Sequence, residues 1–200
     1  MDLFNQNTQT NLLPFDGEAI YHGPIFSKQE QASTYQNLLE AIPWKNDEAI
    51  VFGKHYITKR KVAWFGDRPY SYTYSGVTKQ AHLWFPQLQQ LKQKVEKLSG
   101  ATYNSCLLNL YHNGTEGMGW HSDAEKTLAD NGTIASISLG SERKFSFKHK
   151  VTKERVDIVL QSGSLLIMKG IIQKKWLHSL PKTKKIPTPR INLTFRTVVL

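Results

Sequence analysis

Cysteine is nearly absent from this 200-residue sequence, in which Cys106 stands alone. A single cysteine forms no disulfide within the chain and excludes the cysteine clusters that hold structural zinc. We therefore expect a reducing compartment, cytoplasmic or, in a eukaryote, nuclear. The first 25 residues contain no Lys or Arg, which predicts that no secretory signal is present.

Long apolar runs and the common phosphate-binding motifs are also missing. The longest purely aliphatic stretch, 165–168, is far shorter than the roughly 20 residues that cross a membrane, so we expect no membrane association. The Gly-Lys-Ser/Thr and Gly-x-Gly-x-x-Gly motifs are absent, which excludes the usual nucleotide-binding enzymes. No repeat or linker divides the chain, and we expect one structural unit with three segments, 1–45, 46–100 and 101–200.

Positive charge is concentrated toward the C-terminal end of the chain. Residues 1–140 contain 12 Lys or Arg and 13 Asp or Glu, whereas residues 141–200 contain 14 and 3. A one-sided positive field of this kind attracts polyanions, of which nucleic acids are the most common. The alternative is a basic surface that only keeps the protein soluble.

Two helices are predicted from the signals at their ends. Ser27 and Glu30 form a capping box that starts a helix over 28–42, and Pro43 ends it. Pro86 suits the first turn of a second helix, which Gly100 ends. Both helices precede the region in which the hydrophobic pattern changes.

The remaining sequence predicts a mainly β protein with flanking helices. Beyond the second helix, short alternating runs separated by turn signals predict eight strands, at 104–111, 118–122, 133–139, 144–149, 154–160, 164–169, 175–179 and 190–199. Eight strands in about a hundred residues fit a jelly roll or a closed sandwich. The segment 44–85 also has strand patterns, and in it Tyr70, Tyr72 and Tyr74 are predicted to share one strand face, as an exposed platform or as core.

Two histidines and an aspartate suggest a metal site. On a strand, residues i and i+2 project to the same side, so His121 and Asp123 are expected to lie side by side. His178 lies on another predicted strand, which a β-barrel can bring to the same place. Two His and one carboxylate leave the opposite face of an octahedral ion open, as in non-haem Fe(II) oxygenases. The alternative for each histidine is an ordinary core or surface position.

One face of the last predicted strand is wholly polar. Its members alternate with three apolar residues, and they are Arg190, Asn192, Thr194 and Arg196. An arginine fork binds a carboxylate through two hydrogen bonds, so this face suits an acidic co-substrate beside the metal; the alternative is a strand half exposed to solvent. Asn109 and Tyr111 share a face of another strand and are expected to hydrogen-bond the same acid, unless they only accompany the turn at 113–114.

Four short motifs follow one another along the chain: Asn109-Leu-Tyr111, His121-Ser-Asp123, Trp176-Leu-His178-Ser-Leu-Pro181 and Arg190-Ile-Asn-Leu-Thr-Phe-Arg196. Their order and spacing resemble the AlkB family of Fe(II)/2-oxoglutarate-dependent nucleic-acid dioxygenases, from about residue 50 to the C-terminus. The resemblance is closest to the animal homologues that repair duplex DNA, because Val51-Phe52-Gly53-Lys54 and Tyr72-Thr73-Tyr74-Ser75-Gly76 also match.

This resemblance implies a double-stranded β-helix core, jelly-roll and cupin-like, with an N-terminal nucleotide-recognition lid in 46–100. The implied Fe(II) ligands are His121, Asp123 and His178. The implied 2-oxoglutarate contacts are Arg190 and Tyr111 at the distal carboxylate, Arg196 and Asn109 at the keto-acid end, and Asn192 and Thr194 on the same strand face.

The implied activity is oxidative demethylation of N-alkylated bases, of the 1-methyladenine and 3-methylcytosine type, in DNA. Decarboxylation of 2-oxoglutarate, with dioxygen as oxidant, is coupled to hydroxylation of the alkyl group, which then leaves as an aldehyde. We expect a monomer that acts on DNA. Two alternatives stay open: an RNA demethylase with the same chemistry, and a catalytically silent nucleic-acid-binding β-barrel.

The lid is expected to grip a base extruded from the duplex and stacked between aromatic residues. Phe52 resembles a finger that fills the gap left by that base; its alternative role is that of a buried strand residue. The other implied substrate contacts are Gly53, Lys54, Trp64, Tyr72, Thr73 and Tyr74. Glu125 is a further candidate, since near relatives carry an acid where this chain has Ala124. Basic stretches at 143–144, 148–155 and 182–185 are expected to hold phosphates.

Overall fold

A computed structural model describes residues 10–51, 54–74 and 77–199. The larger of its sheets consists of β1 (Glu18–Pro24), β2 (Lys45–Val51), β3 (Lys54–Gly66), β6 (His82–Leu83), β7 (Ser105–Tyr111), β9 (Ile134–Gly140), β12 (Ser164–Lys169) and β14 (Arg190–Arg196). The strand order is β1-β12-β9-β14-β7-β3-β2, and β6 pairs with β3.

A second sheet has the order β11-β10-β13-β8, built from β8 (Met118–His121), β10 (Arg143–His149), β11 (Arg155–Leu160) and β13 (Trp176–Leu180). A hairpin pairs β4 (Ser71–Tyr74) with β5 (Val77–Gln80). The helices are α1 (Lys28–Ala41), α2 (Pro86–Ser99) and α3 (Ile172–Lys175). In the described ranges, none of these helices has the length and apolar character needed to cross a membrane.

The local signals of the sequence correspond to observed elements. The Ser27 hydroxyl accepts from the Glu30 N–H and the Glu30 carboxylate accepts from the Ser27 N–H, which completes the predicted capping box of α1. Gly100 ends α2 at φ 68°, a conformation that favours glycine. All eight predicted core strands form, although the last one ends at Arg196 instead of 199. The predicted jelly-roll architecture is confirmed.

Strand β1 was missed by the sequence analysis. It pairs with β12 at the edge of the larger sheet. Ala19 is its only fully buried residue, and the rest of the strand is half-buried or exposed. Such a strand lacks the strict alternation on which a prediction depends.

Two apolar clusters lie on opposite faces of the larger sheet. Leu165 and Ile167 of β12 pack in the cluster that contains the buried faces of α1 and α2, whereas Leu166 and Met168 pack in the cluster that reaches β10 and β13. Strand β12 is therefore buried on both faces. The apolar residues of β14 belong to the helix-side cluster, so its alternate polar residues point into the space between the two sheets.

Candidate metal centre

Three potential metal ligands meet between the two sheets. One ligand atom from each of His121, Asp123 and His178 lies within 4.8 Å of the others. His121 ends β8 and is the register partner of His178 on β13, and their ring centroids are 4.3 Å apart. Two imidazoles and a carboxylate grouped in this way are the donor set of a facial triad for Fe(II).

The spacing predicted that Asp123 shares a strand with His121. This is wrong, because β8 ends at His121. Strand β8 stands at the end of the sheet order, next to β13, and beyond the last pairing the chain leaves the sheet. Asp123 is nevertheless buried. Arg196 Nη2 donates to Asp123 Oδ1 at 2.8 Å, and the backbone N–H of Asp123 donates to Gln173 Oε1 at 2.9 Å.

The protonation states at this centre suit a divalent cation. His121 Nδ1 lies 2.9 Å from the Gly119 carbonyl oxygen, which can only accept, so Nδ1 carries the proton and Nε2 offers its lone pair. Burial lowers the pKa of His178 to about 4, which leaves a neutral imidazole at pH 7. Burial alone raises the pKa of Asp123, but Arg196 and the two imidazoles outweigh it and hold the carboxyl below its ordinary pKa. Neutral imidazole and ionised carboxylate are the forms that bind metals.

A buried cation lies at the N-terminal end of β14. Arg190 is 3% exposed, its Nη2 donates to Ser138 Oγ at 2.8 Å, and its guanidinium carbon lies 5.6 Å from the ring centre of Tyr111. Its Nε has no hydrogen-bond partner among the described residues. Burial lowers the pKa of Arg190 to about 10, so the side chain is still charged at neutral pH. A buried guanidinium that is only partly paired can accommodate an anionic ligand.

Four of the other predicted co-substrate residues line the same wall as Arg190, on β7 and β14, whereas Arg196 at the far end of β14 is bonded to Asp123. Tyr111 is the register partner of Arg190, and Asn109 is the partner of Asn192. Asn192 and Thr194 are hydrogen-bonded within the sheet, Thr194 Oγ1 donating to Asn192 Oδ1 at 3.1 Å. All five residues are buried, so the alternative of a solvent-facing strand is wrong. Together they form one polar wall of the interior.

A cavity of about 350 Å³ opens next to the metal centre, with His121 and Asn109 among its lining residues. Three charged residues that the sequence analysis missed also line it: Asp47 on β2 is ion-paired with Arg60 on β3 and with Lys79 on β5. Arg60 Nη1 also donates to Asn109 Oδ1 at 2.9 Å. No sequence pattern predicts this cluster of charges, because its residues are far apart in the chain and meet only when the strands of the lid pair.

Among the described residues of the predicted lid, Trp64 is an aromatic one that lines this cavity. Its indole N–H donates to Ser105 Oγ at 2.7 Å, and its ring stacks on Tyr70 at a centroid distance of 6.1 Å. Tyr70 precedes β4 and is 7% exposed, packed with Ala81 and Val198. The prediction that Tyr70 shares a strand face with the tyrosines of β4 is therefore wrong, because the strand starts only after it.

The other predicted substrate contacts are described in part. Phe52 and Gly53 lie outside the described residues, and Lys54 is exposed at the start of β3. Strand β4 contains three more, whose side chains are outside the described part: Tyr72, Thr73 and Tyr74. Glu125 lines the cavity from the loop after β8, and its Oε2 is buried with no hydrogen-bond partner in the described ranges.

Some of the basic residues expected to hold phosphates are engaged within the protein. Arg143 is 2% exposed, and its guanidinium donates to the backbone carbonyls of Asn113, Gly114, Glu116 and Pro181. Lys150 Nζ donates to Ser122 Oγ and to the Gln173 carbonyl. The prediction is wrong for Arg143, because its buried guanidinium serves to join loops.

The fold and the site define the class of the 2OG-Fe(II) oxygenases, whose superfamily model matches residues 17–196. Bovine alpha-ketoglutarate-dependent dioxygenase alkB homolog 3 is 39% identical over 179 residues, and human DNA oxidative demethylase ALKBH2 is 37% identical over 187. The chain belongs to the AlkB family of this superfamily. The matches cover 85% and 88% of the chain but span only 62% and 72% of the two relatives.

A solved structure of OsALKBH1 has the same fold. It superposes with a TM-score of 0.64 over 90% of this chain and 97% of the other, at 15% sequence identity. At that identity the likeness concerns the fold alone.

Proposed function

We propose that the protein is an Fe(II)/2-oxoglutarate-dependent dioxygenase that removes alkyl groups from ring nitrogens of DNA bases. The observation that carries this proposal is the group formed by His121, Asp123 and His178, whose ligand atoms lie within 4.8 Å of one another beside a cavity of about 350 Å³. The substrate class is supported by the human relative, which is named as a DNA oxidative demethylase.

In this proposal, His121, Asp123 and His178 hold Fe(II). Bound Fe(II), with 2-oxoglutarate and dioxygen, supplies the oxidising power that hydroxylates the N-alkyl carbon, and the alkyl group then leaves as an aldehyde. The protein's part is to fix geometry. Arg196 keeps the Asp123 carboxylate ionised and bonded at Oδ1, and the carbonyl of Gly119 fixes the tautomer of His121.

Arg190 would bind the distal carboxylate of 2-oxoglutarate. Its buried, unpaired Nε is available for a charge-assisted hydrogen bond, and the Tyr111 ring packed at 5.6 Å restricts the guanidinium. Asn109, the register partner of Asn192 on the same wall, would offer its amide nitrogen toward the rest of the acid, whereas the amide nitrogen of Asn192 already donates to Ser136 and to the Ile137 carbonyl. Because the wall is buried, this recognition takes place away from competing water.

The cavity would receive the damaged base after it leaves the stack. A base inside a duplex cannot reach a metal buried between two sheets, so it must be extruded. Trp64 supplies an aromatic surface to the cavity, and Glu125 supplies a carboxylate whose Oε2 is buried and unpaired among the described residues. A carboxylate favours a base that alkylation has made cationic, as in 1-methyladenine or 3-methylcytosine.

A groove on the outer face of the smaller sheet would follow the DNA backbone. It is an open space of about 520 Å³ whose lining includes Met118, which also lines the cavity, and the cations Lys144, Arg155 and Lys182. Lys144 is partly neutralised by Asp157 at 2.5 Å, so the other two cations carry most of the excess positive charge. Cations beside the cavity mouth suit phosphates next to an extruded base.

The test is to incubate the protein with Fe(II), 2-oxoglutarate and dioxygen and with oligonucleotides that carry 1-methyladenine or 3-methylcytosine. Mass spectrometry should detect the unmethylated base together with succinate. The same lesion in DNA and in RNA separates DNA repair from RNA demethylation. Succinate without any change in the nucleic acids would refute the substrate class, and the absence of succinate with every substrate would favour a silent binding protein.

A further inference from the structure

Asp123 is held at its backbone by a residue that is not a candidate metal ligand. Its N–H donates to Gln173 Oε1 at 2.9 Å, and both residues are 7% exposed. Since Asp123 lies beyond the end of β8, no strand pairing fixes its main chain. The Gln173 oxygen takes the place of that pairing.

Packing alone does not immobilise the chain segment that carries Asp123. The segment 123–134 lines a second cavity of about 330 Å³, to which Gln173 and Arg196 also contribute. Open space on that side means that few atoms oppose a shift of Asp123. Farther along, backbone hydrogen bonds from Val199 to Thr127 and from Ala129 to Thr197 hold the segment. At Asp123 itself the directed bonds are one from the Arg196 guanidinium and one to the Gln173 oxygen.

Gln173 is itself anchored from the other side. Lys150 Nζ donates to its backbone carbonyl at 2.8 Å and to Ser122 Oγ at 3.2 Å. The same lysine thus contacts both α3 and the residue between His121 and Asp123. Gln173 belongs to α3, which leads directly into β13 and therefore into His178.

The chemistry of Gln173 is unusual for a position that only fills space. Within the described residues, its buried amide nitrogen donates to the Met168 sulfur at 3.8 Å, which is a weak acceptor. An apolar side chain of the same shape would avoid the burial of an incompletely paired amide. What such a side chain could not do is accept the Asp123 N–H.

We infer that Gln173 is a positioning residue that fixes the distance between the Asp123 and His178 ligands. It connects the loop that carries the carboxylate to the helix that precedes the second imidazole, although the two ligands are 55 residues apart in the sequence. The inference rests on the proposed metal site. Partners of this kind, which orient ligands without touching the metal, typically change metal affinity or activity by roughly 10–100-fold when they are removed.

The test is a titration of the metal-free full chain with Co(II). Binding is monitored by calorimetry and by the visible absorption bands of bound Co(II). Gln173→Met keeps the length of the side chain and removes the acceptor, so its dissociation constant for Co(II) should rise by about tenfold or more, with altered absorption bands. Gln173→Glu keeps an oxygen for the Asp123 N–H and should bind Co(II) at least as tightly as the wild type.

Gln31→Met is the matched control. Gln31 lies on α1 and is also 7% exposed, and its amide nitrogen donates to the Phe26 carbonyl at 3.0 Å. This variant should lower the melting temperature without changing Co(II) affinity. If Gln173→Met is too unstable to purify, Gln173→Asn, which withdraws the amide oxygen by about one bond length of 1.5 Å, should weaken Co(II) binding in its place.

Asp123→Ala in the same titration separates the two levels of the argument. If Asp123→Ala binds Co(II) as tightly as the wild type, the metal site itself is wrong. If Asp123→Ala loses affinity while Gln173→Met retains it, the metal site stands and the role of Gln173 is refuted. Equal losses of affinity in Gln173→Met, Gln173→Glu and Gln31→Met would also refute it, since the effect would then be one of general stability.

Discussion

Replacing Arg190 with methionine should weaken 2-oxoglutarate binding without destabilising the empty protein. Burial lowers the pKa of Arg190 to about 10, more than two units below its ordinary value, and each pKa unit corresponds to about 1.4 kcal/mol. Keeping this charge buried therefore costs the folded state about 3 kcal/mol. Both pKa values lie above neutrality, so the arginine is charged in the folded and unfolded chain and the full cost is present at pH 7. The bond to Ser138 and the contact with Tyr111 return about 1–3 kcal/mol.

The loss of the co-substrate contact is expected to be larger than the change in stability. A charge-assisted hydrogen bond to a carboxylate contributes about 1.5–3 kcal/mol, which corresponds to a rise in the dissociation constant of roughly 10- to 150-fold. Calorimetric titration of 2-oxoglutarate into the Co(II)-loaded protein measures this change directly. Thermal unfolding with and without 2-oxoglutarate should show stabilisation of the wild type that is reduced in the variant.

Arg143→Met provides the contrasting case. Arg143 is as buried as Arg190, but its guanidinium donates to four backbone carbonyls. Its removal takes a donor from all four oxygens, of which those of Asn113 and Gly114 keep a backbone N–H, and should lower the free energy of unfolding by about 2–4 kcal/mol. If Arg190→Met binds 2-oxoglutarate like the wild type, or loses as much stability as Arg143→Met, the assignment of Arg190 to the co-substrate is refuted.

Three more predictions concern the metal, the charge and the lid. Asp123→Ala should lose Fe(II) binding and turnover while its affinity for unmodified DNA stays unchanged; retained turnover would contradict the ligand set. A variant that replaces Lys182, Lys184 and Lys185 should show a smaller dependence of DNA affinity on salt: the slope of the logarithm of the binding constant against the logarithm of the salt concentration should fall by about 1 for each phosphate contact removed. Replacement of the exposed Lys97 of α2 is the control. Phe52→Ala should impair repair of a duplex lesion more than repair of the same lesion in a single strand, and equal losses together with a lower melting temperature would indicate a core residue.

The parts of the fold that could be predicted are those with a strong local signal. The capping box at Ser27, the left-handed Gly100 and the alternation along β14 each depend on residues close together in the sequence. The polar face of β14 was informative for a further reason. Its opposite face is fully apolar, so the alternation placed Arg190 and its neighbours together on one face. That this face lies in the interior and not in solvent came from the structure.

The parts that could not be predicted depend on which strands pair and where pairing stops. Asp123 was expected on β8, but the length of an edge strand depends on its partner β13 and not on its own residues. The ion pairs of Asp47 with Arg60 and Lys79 join strands whose register has no sequence signature. Tyr70 was grouped with the tyrosines of β4 because the alternation of tyrosines with small polar residues begins before the strand does, so the pattern does not show where β4 starts.

Charge counting had a different weakness, since it treats every cation as part of the surface. Arg143 and Arg190 both contribute to the basic C-terminal region, and both are buried. They differ in the hydrogen bonds that surround them: the protein's own carbonyls surround the guanidinium of Arg143, whereas Arg190 retains a buried Nε without a partner in the described ranges. A buried charge whose donors are paired holds a fold together, and one whose donors are not paired has a cost that a ligand can offset. This difference in pairing, which exists only after folding, distinguishes the structural Arg143 from Arg190, the proposed co-substrate contact.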